Sequence, residues 1–284
     1  MNIYLYAKSG HNVGLEAIRR GSVIFSKLKD CDPILTTSDY RAATFARDLD
    51  VYKGIGIDII GNLPNLMERA DMLIFDSDEP SDEMRKFMAE YCTHLFEVGV
   101  DIPKTLVDDK FFTKGNQSIQ KAFFFGDDDY KDSLLKTICK DCETQDIPLL
   151  MGHYFFLGND DKLKPYFKEI IEEEEYFDTI TNTKYLLTSS VNATFESMAS
   201  GNCPVFYPRE DKDTKEDLEL LSQYNIPIVN GKDIVEVVKN FEGIISNYPQ
   251  IKVLEKVDIS DTVDTITNTI NKYKAIMPSL EINY

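Results

Sequence analysis

Long apolar runs are missing from this chain of 284 residues. None approaches the roughly 20 consecutive apolar residues that a membrane-spanning helix needs, so the sequence offers no span. The opening stretch, MNIYLYAKSGHNVGLEAIRRG, has no basic leader followed by a long apolar core, the pattern of a secretory signal. Positive charge is also short: 31 basic residues stand against 49 acidic ones, a formal net charge of −18. That balance opposes binding to nucleic acid or to an anionic membrane surface through bulk electrostatics. It still admits a phosphate ligand, because local backbone amides hold one against an unfavourable overall field. The 5 cysteines are few and odd in number, which suits a reducing cytoplasm better than a disulfide framework. Cys139 and Cys142 form the one CxxC pair; they fall in a helical pattern, YKDSLLKTICKDCE, and no second ligand pair is spaced to complete a zinc site. A Ser-His-Asp order, an HExxH, a Walker loop and a nucleophilic cysteine context are absent. Gly10 and Gly14 lack the spacing of the dinucleotide fingerprint. The expectation is a cytoplasmic protein with no resident metal or cofactor.

What is present is alternation. Short runs rich in Ile, Leu, Tyr and Phe, such as NIYLYA, PILTT, DMLIFDSDE and HLFEVGVD, alternate with helical patterns such as DYRAATFARDLD, which Asp39 would cap, and SDEMRKFMAEYC. The periodicity lapses over 102–119 and restarts at KAFFFG. There follow a helix at YKDSLLKTICKDCE, a strand at IPLLMGHYFF, a long acidic helix from Lys162 to Thr179, and then the strands KYLLTSS, PVFYP and IPIV with helices between them. Such alternation calls for right-handed crossovers and parallel sheets. The expected fold is therefore α/β, with two Rossmann-like doubly wound domains facing a cleft. The first spans 1–110, the nucleotide-binding second 120–262, and a terminal helix over 263–284 packs across their junction.

Two loops carry the chemistry. LLTSSVNATFESMASGNCP, from Leu186 to Pro204, reads as a strand, a turn of small hydroxyl residues and a helix start, an arrangement that leaves free N–H groups and the positive helix end facing an anion such as a diphosphate. The same pattern serves an ordinary β-turn-α-β unit with Ser and Asn as caps. The other loop, between the first strand and first helix, holds Gly10, His11, Asn12, Gly14 and Glu16, where an α/β protein brings its backbone close to a ligand. Asp127, Asp128 and Asp129 read as caps of the next helix, or else as the metal-binding Asp-x-Asp of another glycosyltransferase fold. Asp76 to Glu79 is either an acid–base group or a helix cap, His153 a structural histidine among aromatics, and Glu172–Glu175 a solvated helix face.

On these residues the chain resembles the GT-B superfamily of glycosyltransferases, sugar-nucleotide hydrolases and epimerases. Ser189, Ser190, Val191, Asn192, Ala193, Thr194, Phe195 and Glu196, followed by Gly201 and Pro204, match the turn of the peptidoglycan N-acetylglucosamine transferase family, with one residue more between glycine and proline. The resemblance implies that Ser189, Ser190, Asn192 and Thr194 lie on the diphosphate side and that Glu196 binds the ribose of UDP. In size and order the chain is similar to the UDP-sugar hydrolase family of pseudaminic acid biosynthesis, with Gly126 framing the cleft. Ala17 stands where that family has its catalytic histidine, so His11 and Glu16 are the candidate bases. The resemblance thus implies a nucleotide-sugar ligand and a glycosyltransferase or UDP-sugar hydrolase of surface-glycan or nonulosonic acid metabolism. The alternative is a non-catalytic relative, a binding or assembly protein that has lost the histidine.

Overall fold

The apolar runs pair as parallel strands into two five-stranded sheets of one topology. The structure, a computed structural model, describes residues 1–138, 142–155 and 158–276. Cys139 of the CxxC pair lies outside them. Among the described residues the chain divides into two units, the first Met1–Gly10, Ala17–Leu106 and 257–276, the second His11–Glu16 and Val107–Lys256.

The first sheet runs through β1 (Ile3–Ala7), α1 (Glu16–Lys27), β2 (Ile34–Thr37), α2 (Tyr40–Asp48), β3 (Gly54–Gly56), β4 (Met72–Asp76), α3 (Asp82–Tyr91) and β5 (His94–Glu97). Its strand order is β3-β2-β1-β4-β5. Asp39 caps α2 by accepting the Ala42 amide at 2.8 Å, and Ser81 does the same for α3. At the C-terminal end of this sheet, Glu79 accepts from the Tyr6 hydroxyl at 2.7 Å and the Ile60 amide at 3.2 Å, and Asp76 is paired with Arg20 at 2.7 Å.

The second sheet comprises β6 (Ile119–Phe124), α4 (Ser133–Lys136), β7 (Leu149–Leu150), α5 (Asn159–Leu163), β8 (Ile170–Ile171), α6 (Tyr176–Asn182), β9 (Thr183–Thr188), α7 (Val191–Ala199), β10 (Cys203–Phe206), α8 (Lys215–Gln223) and α9 (Ile234–Ser246). Its order, β10-β9-β6-β7-β8, repeats that of the first sheet. The run AFFF in β6 is apolar without alternation because both faces are covered. Ala122 and Phe124 join a core with Leu186, Phe195 and Leu221, while Phe123 and Phe125 point the other way into a core with Leu187, Val205 and Phe241. Full burial of each such side chain is worth about 1.5–3 kcal/mol. The last helix, α10 (Ser260–Ile276), belongs to the first unit; it buries Ile266 and Ile270, and its Thr269 hydroxyl lies 2.9 Å from His94 Nε2.

Four sequence expectations need correction. Among the described residues of YKDSLLKTICKDCE, only Ser133–Lys136 is α-helix. The acidic stretch 162–179 is not one helix: α5 stops at Leu163, a 3-10 turn spans Lys164–Tyr166, Ile170 and Ile171 form β8, and Glu173–Glu175 is another 3-10 turn. Pro165 denies the helix an amide, and the two isoleucines complete the sheet beside Leu149 and Leu150. Most of IPLLMGHYFF is loop, because Gly152 crosses the β6 turn closely: a Cβ there would lie 2.7 Å from the carbonyl carbon of Asp127 and 2.8 Å from its Cα. IPIV contributes only an isolated bridge, Phe206 to Ile228. Among the described residues, no helix is long and apolar enough to cross a membrane.

Candidate functional site

In sheets of this order the chain's progress reverses between the first and fourth strands, and the loops leaving their C-terminal ends part to form a crevice. In the second unit those strands are β6 and β9. A cavity of about 110 Å³ lies there. It is lined by Gly126 and Asp127 after β6, Ser189, Ser190 and Val191 after β9, and Val13, Gly14 and Glu16 from the segment His11–Glu16. Arg209, Lys212, Asp213 and Asp217 close it from the loop after β10 and the start of α8.

The turn after β9 is built by its hydroxyls. Ser190 N-caps α7: its Oγ accepts the Ala193 amide at 3.1 Å and donates to Glu16 Oε1 at 2.6 Å. The Asn192 amide, in the first turn of α7, points at the same carboxylate oxygen at 3.5 Å. Glu16 therefore sits where the helix dipole and free amides favour negative charge. It gets there through Gly14, whose φ of +96° is open to glycine and strained for other residues. The Ser189 hydroxyl is buried in the cavity wall with no hydrogen-bond partner among the described residues. Deeper along α7, Glu196 is 3% exposed; Oε2 accepts the Tyr176 hydroxyl at 2.5 Å and Oε1 the Asn192 side-chain amide at 2.8 Å.

The cations stand opposite. Arg209 is 4% exposed, stacks over the Phe125 ring at 4.2 Å, donates to the Asp128 carbonyl at 2.6 Å and forks onto both oxygens of Asp211. Lys212 pairs with Asp128 at 2.9 Å. Asp129 accepts the Ser133 and Leu134 amides at 2.6 and 3.1 Å, the capping role expected of the aspartate triplet. Asp213, whose carboxylate accepts the Arg209 backbone amide, has its pKa pushed up to about 6, by burial first and, against that amide bond, by the negative charges of Glu16 and Asp217. A carboxyl raised above its unfolded value contributes most to stability below about pH 4 and loses that contribution as pH rises through about 6. Asp213→Asn should accordingly gain about 1 kcal/mol on wild type at pH 7.5, after allowance for solvent screening. Urea midpoints should show the gap closing towards pH 4.5, and a gap independent of pH would refute the assignment.

No protein-family model matches the chain, and no curated protein matches it in sequence. Solved structures do. UDP-GlcNAc 2-epimerase of Methanocaldococcus jannaschii, crystallised with UDP-GlcNAc and UDP, aligns with a TM-score of 0.54 at 12% identity, over 96% of this chain and 100% of that one. The fold is of the GT-B type. HepE of Anabaena in complex with UDP aligns at 0.49 and 9% identity over 97% and 100% of the two chains. The heptosyltransferase WaaC of E. coli with ADP-2-deoxy-2-fluoro heptose does so at 0.46 and 7%, over 88% and 100%.

In the second unit, Gly14, Glu16, Gly126, Ser189 and Ser190 converge on one cavity. Other residues expected at the site do not line this cavity. The Thr194 hydroxyl donates to the Ser190 carbonyl at 2.8 Å, and Asn192 presents its backbone amide to Glu16 while its side chain turns to Glu196. His11 is exposed and packs its ring against Tyr130 at 5.3 Å and Tyr154 at 5.0 Å. Asn12 is exposed at a φ of 66°, and Gly10 falls in the first unit beside Asp39. His153 bonds Glu173 at 2.9 Å, a structural role. Arg209, Lys212 and Asp213 were not anticipated. The available signal was PREDKD directly after an apolar strand, at the C-terminal end of a parallel sheet.

Proposed function

We propose that the protein binds a nucleoside diphosphate sugar, specifically a UDP-sugar, with its second unit, and acts as a glycosyltransferase or UDP-sugar hydrolase. The observation that carries this is the α7 N terminus, at the switch point of a GT-B sheet, already engaging a carboxylate through Ser190 and the Asn192 amide. A diphosphate makes the same contacts with more charge, and Arg209 and Lys212 offset that charge from the opposite wall. The same donors stabilise the diphosphate as it leaves, which is the main catalytic contribution on this reading. Glu196, one turn further on, is the ribose ligand. A second reading, a binding protein without catalysis, is favoured by Ala17, which is buried and carries no proton, and by the packing of His11 between two tyrosines.

Calorimetry with UDP, UDP-sugars and CMP-sugars tests the proposal. UDP binds, and Ser189→Ala weakens it by about 1.5–3 kcal/mol, the scale of a hydrogen bond to a charged group. The same substitution leaves the melting temperature unchanged or higher, since it removes a buried hydroxyl with no partner. Absence of binding by all of these nucleotides removes the reading. Binding that requires Mg²⁺ or Mn²⁺ replaces it with a metal-dependent transferase.

A further inference from the structure

Resting on the nucleotide reading, one contact says more than that an anion fits: the site already contains one. Glu16 Oε1 takes the Ser190 hydroxyl proton at 2.6 Å and faces the Asn192 amide at 3.5 Å. Ser190 has a single hydroxyl proton to give, and its oxygen also accepts the Ala193 amide. A phosphate and Glu16 therefore compete for the same donor. They also repel one another across a small volume. Asp127, Asp213 and Asp217 face the same cavity of about 110 Å³. The two cations there are already engaged, Arg209 by Asp211 and Lys212 by Asp128. Adding a diphosphate beside a resident Glu16 carboxylate would place two anions on one helix end, with Arg209 and Lys212, already paired to carboxylates, left to offset both.

We infer that Glu16 is an internal anion occupying the diphosphate position, and that ligand binding proceeds by its displacement. Glu16 then sets affinity by competition, and the site discriminates by charge: a ligand must bring more anionic contact than one carboxylate to replace it. The segment that carries Glu16 suits such an exchange, since His11, Asn12 and Val13 are exposed and Gly14 sits in the left-handed region.

The test is calorimetry at pH 7.5 with two probes, UDP and inorganic pyrophosphate, on wild type, Glu16→Ala and Glu16→Gln. Glu16→Ala should bind both probes at least tenfold more tightly than wild type. Glu16→Gln keeps the side chain's volume and reach without its charge, and serves where Ala disturbs the loop; it should fall between the two. Affinity unchanged or weakened in both variants would overturn the inference and make Glu16 part of the ligand's own binding surface. Failure of both variants to bind pyrophosphate would overturn it as well, because removing the occupant would then have opened no anion site. Pyrophosphate bound more tightly by the variants while no nucleotide binds any of the three proteins would support the displacement and refute the nucleotide reading.

Discussion

Arg209→Ala is expected to lower stability by about 3–5 kcal/mol, the cost of removing one partner from a buried charged network. Four consequences of the deletion add up. The carbonyls of Phe125 and Asp128 lose their guanidinium donor, inside a protein shell that admits little water in its place. The Phe125 ring loses the cation stacked on it at 4.2 Å. Asp129, fully buried, loses the positive charge 4.0 Å away that helps keep it ionised; burial already raises its pKa against the opposing Leu134 and Ser133 amides and Arg209. Asp211, which burial would raise but Arg209 holds below the usual carboxylate range, reverts towards an ordinary aspartate. Arg209→Lys should recover less than half of the loss, because an ammonium cannot fork onto both Asp211 oxygens while also reaching the Asp128 carbonyl. Urea unfolding followed by tyrosine fluorescence measures both. A loss under about 1 kcal/mol for Arg209→Ala would mean that solvent already screens this network.

The importance of Arg209 marks where sequence reasoning stops. Periodicity located the strands that flank the site, because the end of β6, buried on both faces, must be apolar and a strand followed by Ser-Ser before a helix must expose donors. Charged residues in the loop after β10 follow no period, and their convergence on the β6 turn depends on sheet order, which local pattern does not encode. Glu16 was named on the first loop, but its bond to Ser190 was hidden for a related reason. It opens α1, whose remaining residues lie in the first unit, yet it belongs with the second. The misread helix over 162–179 shows propensity losing to tertiary demand: glutamate and lysine favour helix, but Ile170 and Ile171 are needed at the sheet edge beside β7. The resemblance implies a ribose role for Glu196, whereas its two internal partners were not legible, since Tyr176 lies 20 residues away on α6.

That pairing makes Glu196 the residue whose two roles separate most cleanly by experiment. Glu196→Ala leaves the Tyr176 hydroxyl and the Asn192 side-chain amide buried without their acceptor. At about 1–3 kcal/mol for each orphaned group, partly relieved by relaxation, the expected loss of stability is about 2–4 kcal/mol. Tyr176→Phe removes one donor and leaves the carboxylate its bond from Asn192, so it should cost about 1–2 kcal/mol. A double-mutant cycle between the two should return a coupling of at least 0.5 kcal/mol, the sign that the contact itself holds α6 to α7. Binding then distinguishes tie from ligand. To accept a pair of ribose hydroxyls, Glu196 must exchange at least one internal partner, so its carboxylate contributes to UDP affinity and nothing to pyrophosphate affinity. Glu196→Gln, which keeps the volume and one acceptor oxygen, should weaken UDP at least tenfold and leave pyrophosphate unchanged, both by calorimetry below the variant's melting temperature. Equal affinities of wild type and Glu196→Gln for UDP would reduce Glu196 to a structural tie. The ribose would then have to be held by groups other than the carboxylate one turn inside α7.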